Sequence, residues 1–134
     1  PENKSFKVNG GVWPTHCVQD ELGSTLHDDF DRAVALPRQR PNEGNVFKKG
    51  IDDQVEEYSA YYAKREDGKA MNYLLTKNVV VAGIATEFCV RETALELLKN
   101  GHKVELLKDG LGYVDEENHY KTLEELKDLG AVLI

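Results

Sequence analysis

The chain has 134 residues, 40% of them apolar and 8% aromatic, enough for one buried core and too many for a disordered chain. Its 24 acidic residues against 17 basic ones give a net charge of −7, which excludes the basic face that nucleic-acid phosphates require, and no apolar run is long enough to span a bilayer. Two cysteines, Cys17 and Cys89, make no disulfide framework, so a reducing cytoplasmic setting and a single domain over residues 1–134 are expected.

Residues 1–45 read as irregular, rich in Gly, Pro and Asn, with His16 inside Trp13-Pro14-Thr15-His16. Asn45 to Lys48 is a candidate strand, and Asp53 to Ala63 a helix or structured loop carrying Tyr58, Tyr61 and Tyr62. Lys69 to Thr76 is expected to form a short helix. The run Val79 to Ala82 is too short for a helix and too uniformly apolar for a half-exposed strand, which predicts a central parallel strand covered on both faces. Gly83 frees the chain to turn. From Thr86 the spacing becomes helical, with Val90, Ala94, Leu97 and Leu98 on one side and Asn100-Gly101 as the stop. A strand over Lys103 to Leu107, a helix from Asp115 to Leu129 and a last strand from Ala131 to Ile134 complete the alternation. That alternation implies right-handed crossovers and a parallel sheet, hence an α/β fold.

Ligands of such sheets bind beyond the carboxyl ends of the strands, and Cys89 falls at one of those ends, in the first turn of its helix. Unpaired backbone N–H groups and the positive end of the helix dipole favour a thiolate there, the nucleophilic form of cysteine. A small hydrophobe packed under the helix is the competing reading of Cys89, and position alone leaves the two about even. Lys48 and Lys49 end the candidate strand just before Gly50, and a period of two puts only one of them on a given face. His16 alone cannot hold a metal, since a catalytic site usually has three protein ligands. His27, His102 and His119 show no ligand spacing and read as surface or structural.

These residues also carry a resemblance. Gly83-Ile84-Ala85-Thr86-Glu87-Phe88-Cys89-Val90, followed by Thr93-Ala94-Leu95, resembles the nucleophile motif of the isochorismatase-like cysteine hydrolases, most closely their nicotinamidase/pyrazinamidase branch. Val12-Trp13-Pro14-Thr15-His16-Cys17-Val18-Gln19 resembles the segment whose histidine binds a divalent metal. Val46-Phe47-Lys48-Lys49-Gly50, with Tyr58-Ser59-Ala60-Tyr61, resembles the segment that supplies a catalytic lysine. The motifs stand in the family's order.

The resemblance implies a three-layer, mostly parallel sheet flanked by helices and a nicotinamide amidohydrolase, with pyrazinamide as a second substrate. Cys89 would be the nucleophile and Lys49, directly before glycine, the catalytic lysine. The backbone N–H groups of Ala85 and Cys89 would form the oxyanion hole, with a cis peptide joining Ile84 to Ala85. Trp13, Tyr58 and Ile84 would line the substrate pocket. His16 would be one ligand of a divalent metal, zinc first, with iron or manganese as alternatives. Core packing is an equally good reading of Tyr58.

The family also has an N-terminal strand bearing a catalytic aspartate, and an Asp-x-His pair that completes the metal site; both are absent from this sequence. Pro1-Glu2-Asn3-Lys4-Ser5-Phe6 resembles the stretch that directly follows that pair, with one residue fewer and no histidine. These 134 residues are therefore expected to belong to a longer polypeptide. A hydrolase of the same superfamily acting on another small amide, and a catalytically dead binding or scaffold relative, remain the alternatives. A homo-oligomer is compatible with the sequence, whereas nucleic-acid and membrane partners are not expected.

Overall fold

Strand and helix patterns alternate toward the end of the sequence, and in the computed structural model, which describes residues 2–134, five of the six strands and α-helices lie in the last 57 residues. After a single-turn helix α1 (Asp29–Arg32), the chain forms β1 (Asn78–Gly83), α2 (Arg91–Lys99), β2 (Lys103–Leu111), α3 (Glu116–Asp128) and β3 (Val132–Leu133). The strands are parallel in the order β1-β2-β3, with Val79 opposite Val104, Val81 opposite Leu106 and Leu106 opposite Leu133. This is a parallel sheet flanked by helices.

Alternation along β2 decides where the core lies. Val104 and Leu106 share one face of the strand and are buried, and they meet Ala94 and Leu97 of α2 and Leu123 and Leu126 of α3 in one apolar cluster with Tyr61. Each buried leucine contributes roughly 1.5–3 kcal/mol over leaving it in water. The Asp115 side chain caps α3 by accepting from the Asn118 N–H at 2.9 Å, and Glu116 and Glu117 complement the helix dipole in its first turn. Arg91 joins the two helices, giving Nε and Nη2 to the two carboxylate oxygens of Glu125 at 2.8 and 2.6 Å.

The first 77 residues are built differently. Phe6 and Trp13 form an isolated parallel bridge, closed by Trp13 N–H to the Ser5 carbonyl at 3.0 Å and Lys7 N–H to the Trp13 carbonyl at 2.6 Å. The crossing needs a residue without a side chain at Gly11, where a Cβ would come within 2.1 Å of the Ser5 backbone. The Lys4 N–H reaches the Asp53 carbonyl at 2.9 Å and holds this arm to the middle of the chain.

Three expectations are corrected. Asn45 to Lys48 is not a strand: only Lys48 pairs, with Lys64, because the Asn45 side chain accepts the Asn42 N–H and donates to the Arg40 carbonyl while the Asn42 side chain accepts the Gly44 N–H, and this turn competes with a ladder. Lys69 to Thr76 contains only a 3-10 turn, Met71–Tyr73. The N–H groups of Met71 and Asn72 are taken by the carbonyls of Ala63 and Tyr61 instead of by their own helix. Val79 to Ala82 is neither central nor covered on both faces: β1 is an edge strand of the described sheet. Val79 and Val81 pack on the core, whereas Val80 is 55% exposed.

Candidate active site

At the carboxyl end of β1 the chain turns through Gly83, whose φ of +125° suits glycine alone, and through a cis Ile84–Ala85 peptide. Helical structure begins at Thr86 as a widened π turn, Thr86–Val90, before α2 proper. The Val90 N–H reaches back five residues to the Ala85 carbonyl at 3.1 Å. A regular helix was expected here. Outside partners account for the difference. Both the N–H and the hydroxyl of buried Thr86 bond the Gly112 carbonyl, at 2.8 and 3.0 Å, and Glu87 Oε1 accepts the N–H groups of Val114 and Asp115 at 2.8 and 2.7 Å.

Cys89 lies in that wide turn, half-buried, whereas Cys17 is exposed. The Lys49 ammonium donates to the Cys89 sulfur at 3.4 Å and to the Glu57 carbonyl at 3.0 Å. Lys48 turns the other way and pairs with Glu66 at 2.8 Å, and that carboxylate raises the Lys48 ammonium above its ordinary value. A period of two thus separates the two lysines even though no strand forms around them.

An aromatic group covers the same corner. The edge of Trp13 meets Phe88 with ring centroids 4.8 Å apart, and Tyr58 lies 5.8 Å from Phe88. The Tyr58 hydroxyl accepts from Trp13 Nε1 at 3.0 Å and donates to Glu56 at 2.5 Å; burial first, and then that carboxylate, hold its phenol above the usual range. Ile84 is 76% exposed at the rim, so it bounds the corner without closing it. Phe88 was missed, although its place directly before Cys89 in the sequence was signal enough.

His16 is exposed, 5.3 Å from the Phe6 ring and 6.4 Å from Trp13, with Nδ1 2.6 Å from the Pro14 carbonyl. Only a protonated Nδ1 can bond a carbonyl, which leaves the Nε2 lone pair for a ligand. Among the described residues, however, no three His, Cys, Asp or Glu side chains converge as a donor set, so His16 does not make a metal site by itself. Pro1, the first residue of the family-like N-terminal stretch, lies outside the described residues. His27 and His102 stay near the surface. His119 is buried between the rings of Tyr113 and Tyr120 and is structural.

Residues 4–134 match the model of the isochorismatase domain. The chain is 34% identical over 129 residues to the nicotinamidase of Escherichia coli strain K12, a match that covers 90% of this chain and 56% of that enzyme. It thus spans little more than half the length of that relative. Among solved structures, the pyrazinamidase of Pyrococcus horikoshii in complex with zinc superposes with a TM-score of 0.78 at 33% identity, covering 99% of this chain and 68% of the other. PnC1 from L. infantum in complex with nicotinate gives a TM-score of 0.79 at 36% identity, with 99% and 65% covered. No helix among the described residues is long and apolar enough to cross a membrane.

Proposed function

The chain belongs to the isochorismatase family, and from that premise we propose that it carries the nucleophile, the lysine and the ring pocket of a nicotinamide amidohydrolase, with pyrazinamide as a second substrate. The observation that carries this reading is the Lys49 ammonium 3.4 Å from the Cys89 sulfur, at the carboxyl end of a parallel strand. The ammonium fixes the sulfur in place with a hydrogen bond, so that the nucleophile is held in a set direction against the carboxamide.

The Cys89 sulfur attacks the carboxamide carbon, and the carbonyl electron pair moves onto oxygen, where the N–H groups of Ala85 and Cys89 receive it. The proton of the thiol passes to a carboxylate, which the family resemblance assigns to an aspartate upstream of this sequence. That carboxylate returns the proton to the amide nitrogen as the C–N bond breaks and ammonia leaves. Water then attacks the thioester, the C–S bond breaks, and nicotinate departs with the thiol restored. Trp13, Tyr58 and Ile84 receive the pyridine ring, with Phe88 beneath Trp13. His16 is one ligand for a divalent ion, zinc before iron or manganese, whose remaining donors lie outside the described residues. No step of this mechanism runs through the ion.

Support comes from the nicotinamidase of E. coli and from the nicotinate complex of PnC1, both similar to this chain. The test is ammonia release from nicotinamide, pyrazinamide and an N-carbamoyl amide by the full-length polypeptide containing these residues, with its metal content measured in parallel. Turnover of the two ring amides together with stoichiometric divalent metal is expected. Turnover of the N-carbamoyl amide alone would assign a different hydrolase of the family, and no turnover at all would leave a binding relative.

A further inference from the structure

We propose that Thr93 is a positioning residue whose hydroxyl sets the distance between the Lys49 ammonium and the Cys89 sulfur. The proposal rests on the pairing of those two groups in the proposed reaction and adds a residue to it. Thr93 lies in the first turn of α2 and is 9% exposed, on a helix face otherwise occupied by Val90, Ala94 and Leu97. Its hydroxyl donates to the Cys89 carbonyl at 2.6 Å and accepts the Ala60 N–H at 2.9 Å. A hydroxyl four residues along a helix from a carbonyl often makes the first bond, and alone that bond would mean little. The second is different, because Ala60 is 33 residues away and belongs to the segment that anchors the lysine.

The contacts close a ring. From the Cys89 sulfur the path runs to Lys49 Nζ, then to the Glu57 carbonyl, along the backbone to the Ala60 N–H, through the Thr93 hydroxyl and back to the Cys89 carbonyl. Glu57 also holds the start of the loop, since its carboxylate accepts the Gly50 N–H at 2.7 Å. Both ends of the path are atoms of the nucleophile itself. One hydroxyl has the donor and acceptor capacity to make both of its bonds, and no apolar isostere has either. Replacing it by methyl leaves the Ala60 N–H without its acceptor, frees residues 57–60 to move outward, and takes the lysine with them. Misplacement of this kind acts on the chemical step more than on substrate binding.

The experiment uses the full-length protein with Cys17→Ser, and alkylation by iodoacetamide is quantified on the proteolytic peptide that contains Cys89. The rate of Cys89 alkylation at neutral pH is measured together with kcat and KM for nicotinamide. Thr93→Val should lower alkylation and kcat roughly tenfold with KM little changed, Thr93→Ser should restore both, and Thr93→Val should add nothing in a Lys49→Ala background. Thr93→Ala, which is smaller and cannot overpack the site, should behave as Thr93→Val does. Losses that multiply in the double variant, or a Thr93→Ser protein as slow as Thr93→Val, would overturn the proposal. If Lys49→Ala alkylates as fast as the reference, the pairing itself fails and takes this role with it. If Lys49→Ala is slow and both Thr93→Val and Thr93→Ala are normal, only the role of Thr93 is lost.

Discussion

Residues 78–134 and residues 2–77 hold their shape by different means. In the first region strands and helices satisfy the backbone, and leucines, valines and alanines from four elements share one core. In the second region regular structure is almost absent. Position there comes from individual bonds, such as Trp13 to Tyr58, Lys49 to Glu57 and Ala60 to Thr93. The scaffold positions the Cys89 side chain, and the loops supply what surrounds it. A rigid sheet end can fix a nucleophile to a fraction of an ångström, while loops tied to it by single bonds can be shaped around a substrate.

This division predicts that substitutions in the two regions report in different measurements. Cys89→Ala should reduce nicotinamide turnover by the full-length protein to background while leaving its melting curve almost unchanged, because a small group replaces a small group. Retained activity would remove Cys89 from the mechanism. Lys49→Ala should slow acylation by orders of magnitude, read as a lost ammonia burst in single-turnover mixing, again with little change in stability. Leu106→Ala reverses the pattern: a fully buried leucine at the centre of the core should cost about 2–5 kcal/mol in denaturant unfolding. Its kcat should hardly change at temperatures where the protein is folded. A large kcat loss from Leu106→Ala at full folding would erase the distinction between the regions.

A smaller effect belongs to the bond between α2 and α3. Arg91 holds the Glu125 carboxyl below its ordinary value of 4.5, chiefly through their hydrogen bonds. A lowered carboxyl stabilises the fold fully above the ordinary value and loses that contribution as the pH falls through the lowered one. With the Glu125 side chain 40% exposed, solvent limits the contribution to less than about 1 kcal/mol. Glu125→Gln should therefore lower stability slightly at pH 7 and flatten its decline on acidification; a decline as steep as in the parent would place the acid-sensitive group elsewhere. Lys48→Ala is the smallest change, within roughly 0.5 kcal/mol of stability and without effect on turnover. A loss equal to that of Lys49→Ala would undo the separation of the two lysines.

Much of the scaffold was legible because its signals are local. The four-residue apolar run before Gly83 marks β1, and Asn100-Gly101 marks the end of α2. Asp115 followed by Glu116 and Glu117 marks the start of α3. A period of two set Lys48 and Lys49 on opposite faces, and the family resemblance, which places its lysine directly before glycine, chose Lys49. What remained hidden depends on distant partners. The π turn at Cys89 follows from Gly112, Val114 and Asp115, residues that the sequence places a crossover away. The strand expected at Asn45 to Lys48 was lost to two asparagine side chains whose bonding no periodicity reveals. Thr93 did leave a signal, since a hydroxyl among Val90, Ala94 and Leu97 is a polar group on a buried face and needs partners.

The exposed edge of β1 makes this region a template. Its outward N–H and C=O groups face no strand among the described residues, and Val80 and Ile84 stand uncovered beside them. Any extended apolar segment, from the same polypeptide or from a neighbouring copy, can dock there in register and bury those side chains as it pairs. The net charge of −7 works against the approach of a second copy only at close range, because counterions screen charges farther apart than about 8 Å at physiological salt. Pairing along that edge, by whichever strand reaches it first, would cover Val80 and Ile84 together.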